Sequence, residues 1–331
     1  MTPRNVVIEG DALDTLAVLG AESVDCVVTS PPYYQLRDYG MAGQLGMEPT
    51  VDDWVECLRA VAREVHRVLV PWGAFFLNLG DSYSRHGRYG APAKSLLLGP
   101  ERVAQALLGD GWLVRNTLVW RKTNPVPSPV SDRFSPAHEF LYLLVKQQRF
   151  FFDLDAVREP ARSHRPPRPG TTTPASVLGA LAGGSRHGLA AMKREGRSAH
   201  PLGKNPGTVW EAGTAAPRVP HFATFPPALV RRPILAGCPA KVCTGCGQPW
   251  QRSTERVRLV NGVPAPRPLV PCACQAPTRP GLVLDPFFGT GTVGVVARRY
   301  GRDWLGIELN PDYVRLARGQ LGAGLVAGPA R

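Results

Sequence analysis

Residues 281–292 constrain the fold of this chain more than any other stretch. Gly281-Leu282-Val283-Leu284 is a short apolar strand that runs into Asp285-Pro286-Phe287-Phe288-Gly289-Thr290-Gly291-Thr292. A helical pattern from Val293 to Arg299 follows. Small residues at a strand-to-helix turn let a ligand approach the backbone, and the helix N-terminus offers free N–H donors. A nucleotide-binding sheet usually begins with such a turn. Here the turn lies about forty residues before the end, and only the strands Leu282–Leu284 and Trp304–Glu308 belong to that remainder. The other strands must come from earlier sequence, so the domain is expected to be circularly permuted.

The earlier sequence supplies them. Asn5 to Asp11 reads as a strand ending at Gly-Asp, Leu13 to Leu19 as a short helix and Val24 to Thr29 as the next strand. Thr50 can cap a helix to about Val70, with Trp54, Leu58, Val61, Val65 and Val68 on one face. Trp72–Leu79, Trp112–Arg121 and Glu139–Lys146 read as strands, and Pro100–Leu108 as a helix. Ala223–Leu235 looks helical, and a last helix starts near Pro311. The alternation predicts an α/β fold, Rossmann-like, with a mostly parallel sheet between helical layers. An apolar fraction of 44% is enough for a sizeable core.

Thr29-Ser30-Pro31-Pro32-Tyr33 follows the apolar strand Val24–Val28. The prolines lack an N–H and have fixed φ, so they make a stiff loop with outward carbonyls. Such a loop can accept hydrogen bonds from an amino group while the Tyr33 ring covers a flat heterocycle. Its plainer reading is a Pro-rich turn.

The formal charge of +13 favours a polyanionic partner. No run of eighteen apolar residues occurs and Met1–Asn5 leads straight into a strand, so a cytoplasmic protein without a membrane span is expected. From 160 to 204 the periodic pattern gives way to Arg-Pro, Thr-Thr-Thr-Pro and Gly-Gly-Ser stretches, with eight Lys/Arg against the single acid Glu195. This basic segment reads as an insertion, either a solvated linker or a DNA contact. Of seven cysteines, Cys26 and Cys57 fall in apolar patterns and read as buried thiols, and Cys238 as a packing residue. Cys243-Thr244-Gly245-Cys246 and Cys272-Ala273-Cys274 supply four thiolates that suit a structural, tetrahedral Zn²⁺. Arg252, Arg256, Arg258 and Arg267 on the enclosed loop could touch phosphates.

Gly289, Gly291 and Gly294 also satisfy G-x-G-x-x-G, with Glu308 near the distance of a ribose-binding acid, so a dinucleotide enzyme competes on that pattern alone. The wider set of motifs decides otherwise. Ser30-Pro31-Pro32-Tyr33 preceding Asp-Pro-Phe-x-Gly-x-Gly-Thr, with Phe222-Ala223-Thr224-Phe225-Pro226 before the latter, resembles the β-group, circularly permuted amino-DNA methyltransferases. Gly10-Asp11 and Gly203-Lys204-Asn205-Pro206-Gly207 fit the same pattern, and the resemblance covers nearly all of the chain except about 160–200.

The resemblance implies S-adenosylmethionine as cofactor and double-stranded DNA as partner, with a cognate restriction endonuclease as a further candidate. It implies that Asp285, Phe287, Gly289, Gly291 and Thr292 line the methionine end of the cofactor. Glu308 would accept the ribose hydroxyls, Asp11 would reach the adenine side, and Phe222 and Thr224 would close the pocket. Ser30, Pro31, Pro32 and Tyr33 would form the catalytic loop. Ser30 Oγ and the Pro31 carbonyl would accept from the amino group of a flipped base, and Tyr33 would stack on that base. Ser at position 30 favours cytosine N4 over adenine N6. The expected organisation is a catalytic half over 1–159, a basic insertion over 160–220 and a cofactor half over 221–331. The last carries a zinc-ribbon-like insertion at 238–276. A C5-cytosine enzyme is disfavoured, because its Pro-Cys could only be Pro271-Cys272, inside the metal-like cluster. A non-catalytic, zinc-bearing DNA-binding protein is the competitor outside the enzymes.

Overall fold

The computed structural model describes residues 2–160, 200–214, 225–260 and 263–322, and the backbone of 324–327. Two units emerge from the contact pattern. One comprises Met1–Asp153, Gly207–Gln251 and Val270–Arg331, the other Leu154–Pro206 and Arg252–Leu269.

The larger unit is built on a nine-stranded sheet. Its strands are β1 (Val6–Glu9), β2 (Val24–Thr29), β3 (Leu69–Leu79), β4 (Leu113–Lys122), β5 (His138–Val145), β6 (Val209–Ala212), β7 (Leu282–Asp285), β8 (Asp303–Glu308) and β9 (Gly324–Ala327). They lie in the order β9-β1-β8-β7-β2-β3-β5-β4-β6. Only β5 runs against its neighbours, β3 and β4. All six residues of β2 and all four of β7 are buried, which is what continuous apolar runs in a sheet covered on both faces require.

Helices α1 (Ala12–Ala17), α2 (Val51–Val68) and α3 (Gly99–Gly109) cover one face. There Leu16, Trp54, Leu58 and Leu107 pack on Val27 and Phe75. Helices α4 (Pro227–Gly237), α5 (Thr292–Arg299) and α6 (Pro311–Leu321) cover the other, where Ile234, Val293, Ala297 and Val314 meet Cys26, Val28 and Phe76. Thr50 caps α2 as expected, in a reciprocal box with Asp53. Two expectations need correction. Helix α2 stops at Val68 and β3 begins at the next residue, three residues before the expected strand. Cys57 is exposed, because it lies outside the α2 stripe of Trp54, Leu58, Val61 and Val65. Cys26 and Cys238 are fully buried.

Asp25, fully buried at the start of β2, pins β7 beside it. Its carboxylate accepts from the backbone N–H of Leu282 at 2.7 Å and pairs with Arg279 through both oxygens. A buried carboxylate is tolerable because every oxygen has a charged or N–H partner. In the smaller unit, Arg158 and Arg267 both pair with Asp155 (3.0 and 2.7 Å), and Arg258 pairs with Glu255 at 3.0 Å.

Candidate active site

The pairing Val283↔Cys26 and Leu284↔Val27 brings the C-terminal ends of β2 and β7 side by side. The two loops singled out in the sequence therefore emerge together, although some 250 residues separate them. Thr29 Oγ1 ties them by donating to Asp285 Oδ1 at 2.6 Å. A cleft of about 260 Å³ runs between them. It lies outside the carboxyl ends of the strands, the usual place for ligands in open α/β sheets.

One wall carries the residues expected to hold the cofactor. Asp11, Asp285, Phe287, Gly289, Thr292 and Glu308 all line the cleft. Asp11 also caps α1, accepting from the N–H groups of Leu13 and Asp14. Asp285 accepts from the Phe287 N–H at 3.0 Å, and burial pushes its carboxyl up to about 7. Glu308 binds the N–H of Gly289 through Oε2 (2.7 Å) and that of Asn310 through Oε1 (2.8 Å), and burial raises its pKa as well. A carboxylate offers about four lone-pair sites, so each oxygen retains acceptor capacity. Tyr39 and Tyr313 meet edge to face at 6.4 Å and add an aromatic rim.

Phe287 faces the cleft, whereas its neighbour Phe288 is buried and stacks on Trp304 with centroids 5.3 Å apart. Gly306 makes room for that ring, since a Cβ there would come within 2.3 Å of it. Gly291 does not line the cleft; a side chain there would point at Ala317 and Leu321 of α6. Phe222 and Thr224 lie outside the described residues.

The other wall is the Ser-Pro-Pro-Tyr loop, and Ser30, Pro31, Pro32 and Tyr33 all line the cleft. The indole of Trp54 donates to the Pro32 carbonyl at 3.1 Å, which fixes the loop on α2. The Tyr33 ring lies against Gly80, where a Cβ would approach Cε2 to 2.6 Å. Its hydroxyl donates to Glu139 Oε2 at 2.6 Å and sits 3.1 Å from Ser30 Oγ. Burial and the Glu139 charge hold the phenol well above its ordinary pKa. Asn78 Nδ2 donates to Ser30 Oγ and to Glu139 Oε2. Lys122 Nζ pairs with Glu139 Oε1 at 2.6 Å and stands 5.3 Å from the centre of the Trp120 ring. Asn78, Lys122 and Glu139 were not expected as site residues. They come from β3, β4 and β5, and the only local signal is a charged residue opening the apolar strand Phe140–Val145.

Asp81 takes no part in the cleft; its oxygens accept from the N–H groups of Ser82, Leu98 and Gly99 and cap α3. Tyr34 is buried and donates to the Pro49 carbonyl, a packing role.

The four clustered cysteines also come together. A short ladder pairs Thr278 with Cys243, and Cys243, Cys246, Cys272 and Cys274 gather their Sγ atoms within 4.8 Å of one another. Four thiols at that spacing fit the donor set of a tetrahedral Zn²⁺ with no open position. The turn is fixed independently of a metal, by Gly247 N–H to the Cys243 carbonyl and Thr244 N–H to that of Pro277.

Comparison with known proteins agrees with this geometry. The N6/N4 DNA methylase family matches residues 24–319. Type II methyltransferase M.XycI of Xanthomonas campestris pv. cyanopsidis is 35% identical, over 96% of this chain and 87% of its own length. Type II methyltransferase M.Cfr9I of Citrobacter freundii is 34% identical, over 95% and 87%. Among solved structures, the cytosine-N4-specific PvuII DNA methyltransferase shares the fold, with a TM-score of 0.55 and 21% identity over 97% of this chain and 87% of that one. A DNA modification methylase of Thermus thermophilus complexed with S-adenosyl-L-methionine does so at a TM-score of 0.51, with 22% identity over 96% and 94%. With the Ser-Pro-Pro-Tyr loop and the glycine turn facing each other across one cleft, the chain belongs to the N6/N4 family of DNA methylases.

Proposed function

We propose that this protein methylates the N4 amino group of a flipped-out cytosine in a specific duplex DNA sequence, with S-adenosylmethionine as donor. The observation that carries this reading is the meeting of the two loops: Ser30 and Asp285 line one cleft, and Thr29 locks their strands together. The donor set fits an adenosyl cofactor. Glu308 offers acceptors for ribose hydroxyls, Phe287 and Tyr313 offer apolar surface, and α5 presents its N-terminus. When bound, the cofactor supplies a methyl already activated on a sulfonium. The protein's own work is alignment and charge placement.

Ser30 Oγ and the Pro31 carbonyl accept from the amino group and turn its lone pair away from the ring. The Pro31 carbonyl accepts no hydrogen bond among the described residues, whereas that of Pro32 is taken by Trp54. Tyr33, braced by Gly80 and Glu139, provides a fixed ring for the base. Cytosine rather than adenine rests on Ser30 at the first position of the loop. The order of β7, α5 and β8 after β1–β5 supports a permuted domain. The basic insertion supplies DNA contacts, and the Type II names of the relatives support a role beside a restriction endonuclease.

Incubation with labelled cofactor and unmethylated DNA, followed by nucleoside analysis, should yield N4-methylcytosine. N6-methyladenine as the only product would refute the base assignment. Ser30→Ala should lower the single-turnover rate roughly 10²-fold, the scale for loss of one preorganised hydrogen-bonding group, while cofactor affinity stays unchanged.

A further inference from the structure

Glu139 stands out among the residues of the cleft. Only 10% of its side chain is exposed, and both its oxygens are occupied. Lys122 holds Oε1, while Tyr33 Oη and Asn78 Nδ2 hold Oε2 at 2.6 and 2.7 Å. A buried ion pair of this kind is often no more stabilising than packed apolar side chains, so bracing the Tyr33 ring does not account for it. Its place in a chain of hydroxyls does. Ser30 Oγ lies 3.1 Å from Tyr33 Oη, and Tyr33 Oη lies 2.6 Å from Glu139 Oε2. Asn78 cannot take up a proton, and its Nδ2 must face these acceptors because a carboxylate oxygen lies 2.7 Å away. Its Oδ1 is buried without a hydrogen-bond partner among the described residues.

An amino nitrogen that gains a methyl must lose a proton, and a neutral serine hydroxyl cannot keep it. We propose that this proton leaves through Ser30 and Tyr33 to Glu139. The inference rests on the reading of the site as an amino-methylating one, and concerns the proton. As the new N–C bond forms, an N–H bond of the base breaks and its proton joins Ser30 Oγ. The serine's own proton passes to Tyr33 Oη, and the phenol's proton passes to Glu139 Oε2. The balance is one amino N–H lost and one carboxylic O–H gained, with both hydroxyls restored. Lys122 keeps Glu139 ionised beforehand, and Asn78 holds the three acceptors in line. Glu139 thus acts through Tyr33 and never touches the base.

The test uses single-turnover methyl transfer to an oligonucleotide duplex carrying the mapped target. Glu139→Gln should slow the transfer about 10²-fold or more, the range for a positioned acid or base, with KM values and thermal stability close to wild type. Glu139→Asp should recover most of the rate. The dependence of rate on the D₂O fraction should be curved for wild type, as several protons move together, and should lose that curvature in Glu139→Gln. Tyr33→Phe cuts the same chain, so the Tyr33→Phe/Glu139→Gln double variant should be no slower than the slower single one. A wild-type rate in Glu139→Gln, or losses that multiply in the double variant, would overturn the relay while leaving the methyltransferase reading intact. A wild-type protein that transfers no methyl to any DNA would overturn that underlying reading instead.

Discussion

Burial and function pull Asp285 in opposite directions. It is a carboxylate that must face a ligand, yet it is 3% exposed, and its pKa is pushed from an ordinary 3.8 up to about 7. Between those two values the folded protein holds a proton that the unfolded chain has released. Stability contributed by Asp285 is therefore full below about pH 4, falls as the pH rises to about 7 and is level above that. Glu308, raised by burial as well, acts in the same sense. Thermal melts of the cofactor-free protein should show Asp285→Asn gaining on wild type as the pH rises from 4.5 to 7.5. A gap that stays the same across that range would contradict the shift. At this scale the sequence was informative where chemistry is contiguous. Ser30–Tyr33 and Asp285–Thr292 could be read because turn chemistry concentrates in a few adjacent positions. Glu139, Lys122 and Asn78 could not, because strand pairing assembles them and each alone resembles an ordinary strand residue. The Gly291 position went astray for a related reason: a glycine turn serves both ligand and helix packing, and spacing does not separate the two.

Among the elements, the cysteine turn has the clearest consequence. Its second strand, Thr278–Arg279, pairs with Val242–Cys243 and also carries the arginine that holds Asp25 at the foot of β2. Loss of the four-thiol arrangement should therefore be felt in the sheet. Elemental analysis of protein purified without chelator should find about one Zn²⁺ per chain, in keeping with a closed four-ligand site. Cys272→Ser should lower both metal content and Tm, whereas Cys57→Ser, exposed on α2, should change neither. Equal behaviour of the two variants would rule out the metal site. Helix α2 shows what periodicity can and cannot give. The stripe from Trp54 to Val68 and the Thr50 cap were legible. The abrupt passage into β3 was not, because Leu69 and Val70 suit a helix and a strand equally well.

At the scale of the whole molecule, charge and chain order matter most. With a formal charge of +13, binding to duplex DNA should weaken by roughly 10³–10⁵ between 50 and 200 mM salt if six to ten phosphates are contacted. Replacing residues 161–199 by a neutral Gly/Ser linker should flatten that dependence while leaving cofactor affinity unchanged. A salt slope untouched by the replacement would remove the insertion from the DNA contact. The layered α/β class was legible from alternation alone, but the antiparallel β5 and the edge strand β6 were not, since neither run has a pattern that states its direction. The strand order carries one more implication. Strand β1 lies between β9 and β8, and β2 lies against β7, so the first and last parts of the chain interleave like the fingers of two hands. Neither part can bury both faces of its strands alone. A gene split within codons 161–199 should therefore yield two polypeptides that are insoluble when made separately and that form one working enzyme when made together.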